Sequence, residues 1–113
     1  MAQATFVQEG NSIDYTPGAA VAAGDVIVIG ELVGVAKTPI AANALGALAV
    51  SGVFDFAKAT GGGTAINAGA TCYWDDTNNV ATTSDGAGAN KLIGKCVKAA
   101  ADADATVRVR MLQ

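Results

Sequence analysis

Short runs of apolar and β-branched residues recur along the whole chain, separated by stretches rich in glycine and polar residues. The clearest run is residues 106–112, in which valine or methionine at every second position alternates with Arg108 and Arg110. Because side chains along a strand point alternately to opposite faces, this pattern predicts a half-buried β-strand. Similar runs predict further strands at residues 26–29, 32–36, 48–56, 71–74, 80–83 and 91–98.

Turn-forming residues fill the gaps between these runs, and signals for helix are few. The chain has 14 Gly, which tolerate the positive φ angles that tight turns need. Alanine-rich residues 41–45 allow at most one short helical turn, and residues 99–105 favour a loop, because neither segment has an apolar stripe at helical spacing. We therefore predict a single all-β domain over residues 1–113, a compact barrel or sandwich of about seven to nine short strands with Gly/Ala-rich turns.

A weak internal repeat relates the two halves of the chain. Residues 20–25 align with residues 65–70 at an offset of 45, and the same offset pairs Val35 with Val80. Each copy would contain a turn of small residues, a strand, a second turn and a second strand. Two β units of this kind packing together would form a compact barrel or sandwich, but chance similarity in an Ala- and Gly-rich sequence explains the match equally well.

The beginning of the chain differs from the rest. Residues 1–10 are predicted to form an extended N-terminal arm that includes the strand-like tetrapeptide Thr5, Phe6, Val7 and Gln8. An extended arm can add a strand to the edge of a partner's sheet. It can equally pair within its own sheet, and the sequence leaves both arrangements open.

Large apolar side chains are scarce, even though 51% of the residues are hydrophobic. Alanine accounts for 25 residues, whereas Leu, Ile, Val and Phe together number 26. Ordering the backbone costs roughly 1–2 kcal/mol per residue, and apolar burial contributes about 25 cal/mol per Å². A core with so few large apolar side chains gives a lone monomer only marginal stability, and contacts between subunits commonly supply the rest.

The charged and reactive residues exclude several classes of function. The chain has no His, which removes imidazole acid–base catalysis, Ser–His and Cys–His nucleophiles, and His metal ligands. The net charge is −3, and the seven Lys and Arg residues are scattered among ten acidic residues along the sequence, so we expect no basic patch and no nucleic-acid partner. No apolar stretch is long enough to span a membrane. The N-terminus lacks a signal-peptide pattern, so we expect synthesis in a cytoplasm.

No set of side chains predicts a catalytic site, a metal site or a cofactor. The glycines at residues 61–63 lack the Lys-Ser/Thr pair of a phosphate-binding loop, so we expect an exposed loop there. Asp75, Asp76 and Asn78 lie in a segment typical of turns. Carboxylates there usually cap backbone N–H groups, and a divalent ion is the alternative. Lys58 is expected on the surface, near the end of a strand.

Two cysteines and two arginines each allow two interpretations. Cys72 and Cys96 are too far apart for a C-x-x-C redox pair. They are either buried, reduced thiols or, if their strands are neighbours, a disulfide. Arg108 and Arg110 should share one face of their strand, roughly 6–7 Å apart. That face is either solvated or forms ion pairs with another subunit or a scaffold.

Several segments together resemble a family of small tailed-phage capsid proteins. They are residues 24–36, residues 52–61, Tyr73-Trp74-Asp75, Leu92-Ile93-Gly94 and Val107-Arg108-Val109-Arg110. Their order and spacing, from about Phe6 to Leu112, are similar to those of capsid cement (decoration) proteins, a family formerly described as a phage domain of unknown function.

The resemblance implies a β-rich structural protein with no enzymatic activity and no cofactor. Such proteins are usually homotrimers that bind the exterior of the expanded capsid and bridge subunits of the major capsid protein. The implied location is the outside of the virion, after synthesis in the host cytoplasm. Residues 2–8 would then contact the capsid by strand addition, and Arg108 and Arg110 would lie at a subunit or capsid interface. The acidic net charge agrees with an exterior position, because packaged DNA would repel it.

A glycan-binding β module of the phage head or fibre is the alternative function. Such a site would expose aromatic side chains on a shallow face, and the candidates are Tyr15, Tyr73 and Trp74. Because neighbouring side chains of a strand face opposite ways, at least one of these three is expected to be buried.

Overall fold

Nine β-strands and one short 3₁₀ turn form the regular secondary structure of residues 3–113, the part of the chain that this computed structural model describes. The strands are β1 Ser12–Tyr15, β2 Val26–Ile29, β3 Leu32–Val35, β4 Gly46–Ala49, β5 Gly52–Ala57, β6 Thr71–Asp75, β7 Val80–Thr82, β8 Lys91–Lys98 and β9 Thr106–Met111. The 3₁₀ turn is Gly86–Gly88. None of the helical structure in this range is long and apolar enough to cross a membrane.

The strands form two antiparallel sheets. The smaller sheet has the order β1-β4-β3-β2, and the larger has the order β5-β9-β8-β6-β7. The larger sheet curls, since an isolated parallel bridge joins Lys58, just beyond β5, to Ala81 in β7 at the opposite edge. The all-β prediction is confirmed, and among residues 3–113 the form is a sandwich rather than a closed barrel.

The main core lies where the hairpin β2–β3 packs on the inner face of the larger sheet. Its members are mostly small or β-branched, and Val33, Ile93 and Val109 are fully buried at its centre. Phe56 and Trp74 supply most of its aromatic surface, with ring centroids 6.0 Å apart. Gln113 stabilises the packing of β3 on the larger sheet, because its side-chain amide donates to the Val33 carbonyl and accepts from the Val33 N–H, both at 2.7 Å.

A second core cluster covers the opposite face of the smaller sheet. Val21, Ala36, Ile40 and Leu48 are buried there, beneath the loops on either side of the hairpin β2–β3. Alternation along the strand explains this division, since Ile27 packs into this cluster while its neighbours in β2 pack into the main core. The smaller sheet is therefore covered on both faces.

The expectation of one continuous strand over residues 48–56 is wrong. The apolar run is split between β4, which ends at Ala49 in the smaller sheet, and β5, which begins at Gly52 in the larger one. Gly52 has φ of +114°, a left-handed value that favours glycine and turns the chain between the sheets. The run is apolar on both sides of this turn, so its hydrophobic pattern does not mark the break.

Other local features were left open or missed by the sequence pattern. Of the two arrangements left open for residues 5–8, pairing with a strand of residues 3–113 does not occur, and β1, which begins at Ser12, was not predicted. Residues 41–45 form a simple turn closed by a 3.1 Å hydrogen bond from the Ala44 N–H to the Ala41 carbonyl. The single short helical turn lies elsewhere, at residues 86–88.

The two segments of the proposed repeat adopt the same local turn. Gly24 and Gly69 have φ of +90° and +88°. In each turn the residue after the glycine donates its N–H to the carbonyl three residues earlier, at 3.1 Å in both. Each turn leads into a hairpin, β2–β3 in the smaller sheet and β6–β7 in the larger. The copies therefore share a turn-and-hairpin unit but occupy different sheets.

Cys72 and Cys96 lie on the adjacent strands β6 and β8, and both are buried free thiols. Burial, followed by the neighbouring Cys96, raises the pKa of the Cys72 thiol to about 11. Cys72 is therefore protonated at neutral pH and is a poor nucleophile. The interpretation of two buried, reduced side chains agrees with this arrangement.

Candidate functional site

The N-terminal arm is exposed along its described length. Residues 3–11 lie in no strand, and the side chains of Phe6 and Val7 are 78% and 85% exposed. Thr5 and Gln8 are also exposed, and the Gln8 amide donates to the Ser12 carbonyl at 2.8 Å. Ala2, the first residue of the predicted contact, lies outside the described residues.

The arm leads directly into an edge strand. β1 begins at Ser12 and pairs along one side with β4, and its other side faces no strand among residues 3–113. Edge strands carry free backbone donors and acceptors and are ready sites for pairing with another chain. The arm and β1 together therefore present an extended backbone segment at one margin of the sandwich.

Arg108 and Arg110 share the outer face of the larger sheet, as predicted from their spacing. β9 lies between β5 and β8, and its burial alternates, with both arginines exposed. Arg108 binds Asp55 of β5 through two hydrogen bonds, Nε–Oδ1 at 2.9 Å and Nη2–Oδ2 at 3.2 Å. The hydrogen bonds from Arg108 lower the pKa of the Asp55 carboxyl below its ordinary value of 3.8.

We expect Asp55→Asn to remove a pH-dependent part of the stability. The pKa of Asp55 is lower in the folded chain than in the unfolded chain, so the pair contributes fully above the ordinary carboxyl value of 3.8. This contribution is lost as the pH falls through the lowered value. Urea unfolding at pH 6 and at pH 3 measures it: the wild-type midpoint should fall more between these pH values than that of D55N. Equal shifts in both proteins would contradict the assignment.

Arg110 has no acidic partner in the described part of the chain. The two ion pairs found among residues 3–113 are Arg108–Asp55 and Lys91–Glu31. In the strand register Arg110 lies between Val53 of β5 and Lys95 of β8.

Four of the five cations of β8 and β9 gather on this outer surface, while Lys91 of β8 pairs with Glu31. We call Lys95, Lys98, Arg108 and Arg110 the basic face; it holds four of the seven Lys and Arg residues of an acidic chain. Exposed apolar side chains, Val53 and Val97, adjoin it. The sequence predicted that Arg108 and Arg110 would lie together, but only strand pairing adds the lysines of β8.

Lys58 is buried rather than on the surface, and the expectation of an exposed lysine is therefore wrong. Its side chain is 5% exposed. The alternation that places Phe54 and Phe56 toward the core extends to Lys58, so a period-two signal for this position was present in the sequence. The loop at residues 61–65 covers the side chain, and Thr64 accepts a hydrogen bond from Nζ at 3.1 Å.

The turn at residues 75–79 is held by its own side chains. The Asp75 carboxylate accepts hydrogen bonds from the backbone N–H groups of Thr77 and Asn78 and from the Asn78 amide. The Asp76 carboxylate accepts from the Trp74 indole at 3.1 Å. The bonds of Asp75 to backbone N–H groups fit the capping role predicted from the sequence, whereas Asp76 binds a side chain. Within the described residues, no group of three or more His, Cys, Asp or Glu side chains is placed to hold a metal ion.

The three aromatic candidates for glycan binding do not share a surface. Trp74 is buried in the main core, and Tyr15 packs against the second cluster. Tyr73 is half-buried on the other face of β6. The arrangement therefore leaves Tyr73 as the single candidate on the outer face of the larger sheet.

The comparison with known families accounts for nearly all of the chain. The sequence model of the phage cement protein family matches residues 7–111. The chain belongs to the phage cement protein family. No curated protein and no solved structure matches the chain at a significant level. The family is one of structural virion proteins rather than enzymes, so this cement protein has a structural, capsid-associated role. The predicted resemblance is thereby confirmed.

Proposed function

We propose that this cement protein binds the exterior of the expanded phage capsid as a homotrimer and stabilises the shell by bridging subunits of the major capsid protein. The observation that carries the proposal is the arm, in which two adjacent apolar side chains, Phe6 and Val7, lie in solvent on a backbone that pairs with no strand among residues 3–113.

Strand addition would use both the backbone and the side chains of the arm. An extended segment on a partner's sheet edge satisfies its N–H and C=O groups, and alternate side chains enter pockets on either face. Phe6 and Val7 would face opposite sides of such a strand, and burying each contributes roughly 1.5–3 kcal/mol. A trimer would present three arms to the shell, so that each bound arm raises the effective concentration of the others.

The basic face supplies a second contact in this proposal. Arg108 is already engaged by Asp55, whereas Arg110 is available to an acidic group of the shell or of a neighbouring subunit. Charge complementarity of this kind favours the correct partner and orientation more than it adds affinity. An exterior position is supported by the net charge of −3, because packaged DNA repels an acidic protein.

Deleting residues 2–8 is the direct test of the arm. We expect the truncated protein to bind purified expanded heads at least about tenfold more weakly than wild type in a co-sedimentation assay, because the buried apolar side chains are lost. The double variant Phe6→Ala/Val7→Ala should behave similarly, while the matched control Gln3→Ala, in the same arm, should bind as wild type. Unchanged binding by a folded truncated protein would reject the arm as the contact.

The proposed trimer is tested by measuring the mass of the protein in solution. Light scattering after size exclusion should give three times the monomer mass for both the wild-type and the truncated protein, if the arm contacts the shell rather than holding the trimer together. A monomer at micromolar concentration would reject the trimer.

A further inference from the structure

Lys58 is the one buried charged or polar residue among residues 3–113, and its partners are all neutral. Its ammonium donates to the Ala59 carbonyl at 2.7 Å and to the Thr64 hydroxyl oxygen at 3.1 Å. An ammonium has three donors, so one remains for another acceptor. No carboxylate of the described chain forms an ion pair with it.

Burying a positive charge among neutral partners is unfavourable. Moving an ammonium out of water is compensated only by a counter-ion and a full set of hydrogen bonds. Neither neutral acceptor supplies a counter-ion, and Asp75, which borders the same space, forms no ion pair with the ammonium. A hydrophobic side chain would fill the same space without this penalty, so the burial of a lysine here calls for a chemical partner.

A cavity adjoins the buried ammonium. It has a volume of about 320 Å³, and its lining includes Lys58, Thr64, Asp75, Asn78 and Thr82. We call it the Lys58 pocket. Its volume lies at the lower end of the range for small-ligand sites, roughly 300–1,000 Å³.

The wall on the Thr64 side is anchored from another part of the chain. The Asp102 carboxylate accepts hydrogen bonds from the N–H groups of Thr64 and Ala65, at 3.1 and 2.8 Å. These contacts hold the loop at residues 61–65 in place over the lysine side chain. The pocket is therefore a built feature of the fold rather than a gap beneath a loose loop.

We propose that the Lys58 pocket binds a carboxylate group, which pairs with the Lys58 ammonium. One ammonium balances one negative charge, and Thr82 also lines this space. The Thr64 hydroxyl is already engaged, because it accepts from Lys58 and donates to the Gly61 carbonyl at 2.6 Å. Asp75, also in the wall, is an anion because hydrogen bonds from Asn78 and Thr77 lower its pKa. Its negative charge repels every anion, but it repels a dianion such as hydrogen phosphate more strongly than a monovalent carboxylate, so among anions a carboxylate fits best.

The carboxylate has two sources, an acidic side chain of the bound shell protein or a small free carboxylate. The first source rests on the proposed function, and the second does not. Both place the same chemical group against Lys58.

The decisive experiment is a titration of the full-length, ¹⁵N-labelled protein with acetate and propionate at constant ionic strength. We expect saturable shifts of the amide signals of Lys58, Thr64 and Ala65, and weaker binding of inorganic phosphate. Lys58→Met keeps the unbranched stem and removes the charge, and it should weaken acetate binding roughly tenfold or more. Lys37→Met, at an exposed lysine, is the matched control and should bind as wild type.

Two outcomes overturn the proposal. One is a wild-type protein without saturable shifts, which would mean that the pocket holds water alone. The other is equal binding by wild type and a folded K58M. The wild-type titration decides the question even if K58M does not fold.

Head binding by the same variants separates the two sources. If K58M loses head binding and K37M keeps it, the carboxylate is a side chain of the shell protein. If K58M, K37M and wild type bind heads equally and wild type shows the acetate shifts, the carboxylate is a free small molecule. Wild-type protein that ignores expanded heads would reject the proposed function, and the acetate titration would still decide the pocket.

Discussion

Gly94→Ala is expected to destabilise this cement protein by about 3 kcal/mol. A Cβ atom at Gly94 would lie within overlap distance of the Arg110 carbonyl oxygen and 2.7 Å from the Leu112 backbone nitrogen. Both atoms belong to the backbone, so no rotation of a side chain relieves the overlap. β8 and β9 would have to separate at the centre of the larger sheet, where their pairing supports the main core.

Urea unfolding at a fixed protein concentration measures this effect, because the stability of an oligomer depends on concentration. The matched control is Gly62→Ala, where a Cβ meets no atom within 4 Å and the backbone needs no left-handed φ. G62A should stay within about 0.5 kcal/mol of wild type, as exposed substitutions usually do. Equal unfolding midpoints for G94A and G62A would refute the close approach of the two strands.

Trp74→Ala should cost roughly 3–5 kcal/mol, the usual range for removing a large buried aromatic side chain. Trp74 is 4% exposed and packs on Phe56. Its indole N–H donates to the Asp76 carboxylate, so the substitution also removes a hydrogen bond at the turn after β6. In a core with few bulky residues, neighbouring alanines and cysteines have little capacity to fill the cavity.

The neighbouring Tyr73→Ala is the matched control for this prediction. Tyr73 lies on the same strand but faces away from the core and is half-buried, so its loss should cost roughly 1 kcal/mol. Far-UV circular dichroism in urea is the suitable measurement, since the single Trp of the chain is absent from W74A. A W74A midpoint no lower than that of Y73A would show that the indole does not support the core.

The strands that the sequence predicted best are those with a strong local pattern. β2 and β8 have the predicted bounds, and β9 ends one residue earlier than predicted. In these segments β-branched residues and period-two alternation act together, and both are properties of neighbouring residues. β1, Ser12–Tyr15, was not predicted because it has only four residues and includes Ser and Asp, although polar and apolar residues alternate along it. Pairing with β4 stabilises it as a strand.

The candidate surfaces were predictable in part for the same reason. Alternation alone places Arg108 and Arg110 on one face, and a distinct N-terminal segment alone suggests an arm. The partner of Arg108 is Asp55, which is 53 residues away and becomes a neighbour only because β5 and β9 pair. For Lys58 two sequence signals disagreed, because its place in the alternation indicated burial and its charge indicated exposure. The side chain is buried because the loop held by Asp102 covers it.

The sequence by itself determined that this chain is β-rich, short of bulky apolar residues, free of His and acidic overall, and those properties suit a structural protein. Only the tertiary structure decided that residues 48–56 divide between two sheets, that Gly94 meets β9, and that a buried lysine borders a cavity. The physical reason is that propensity and alternation act over a few neighbouring residues. Strand pairing and loop coverage instead join residues tens of positions apart, and no local pattern encodes that choice.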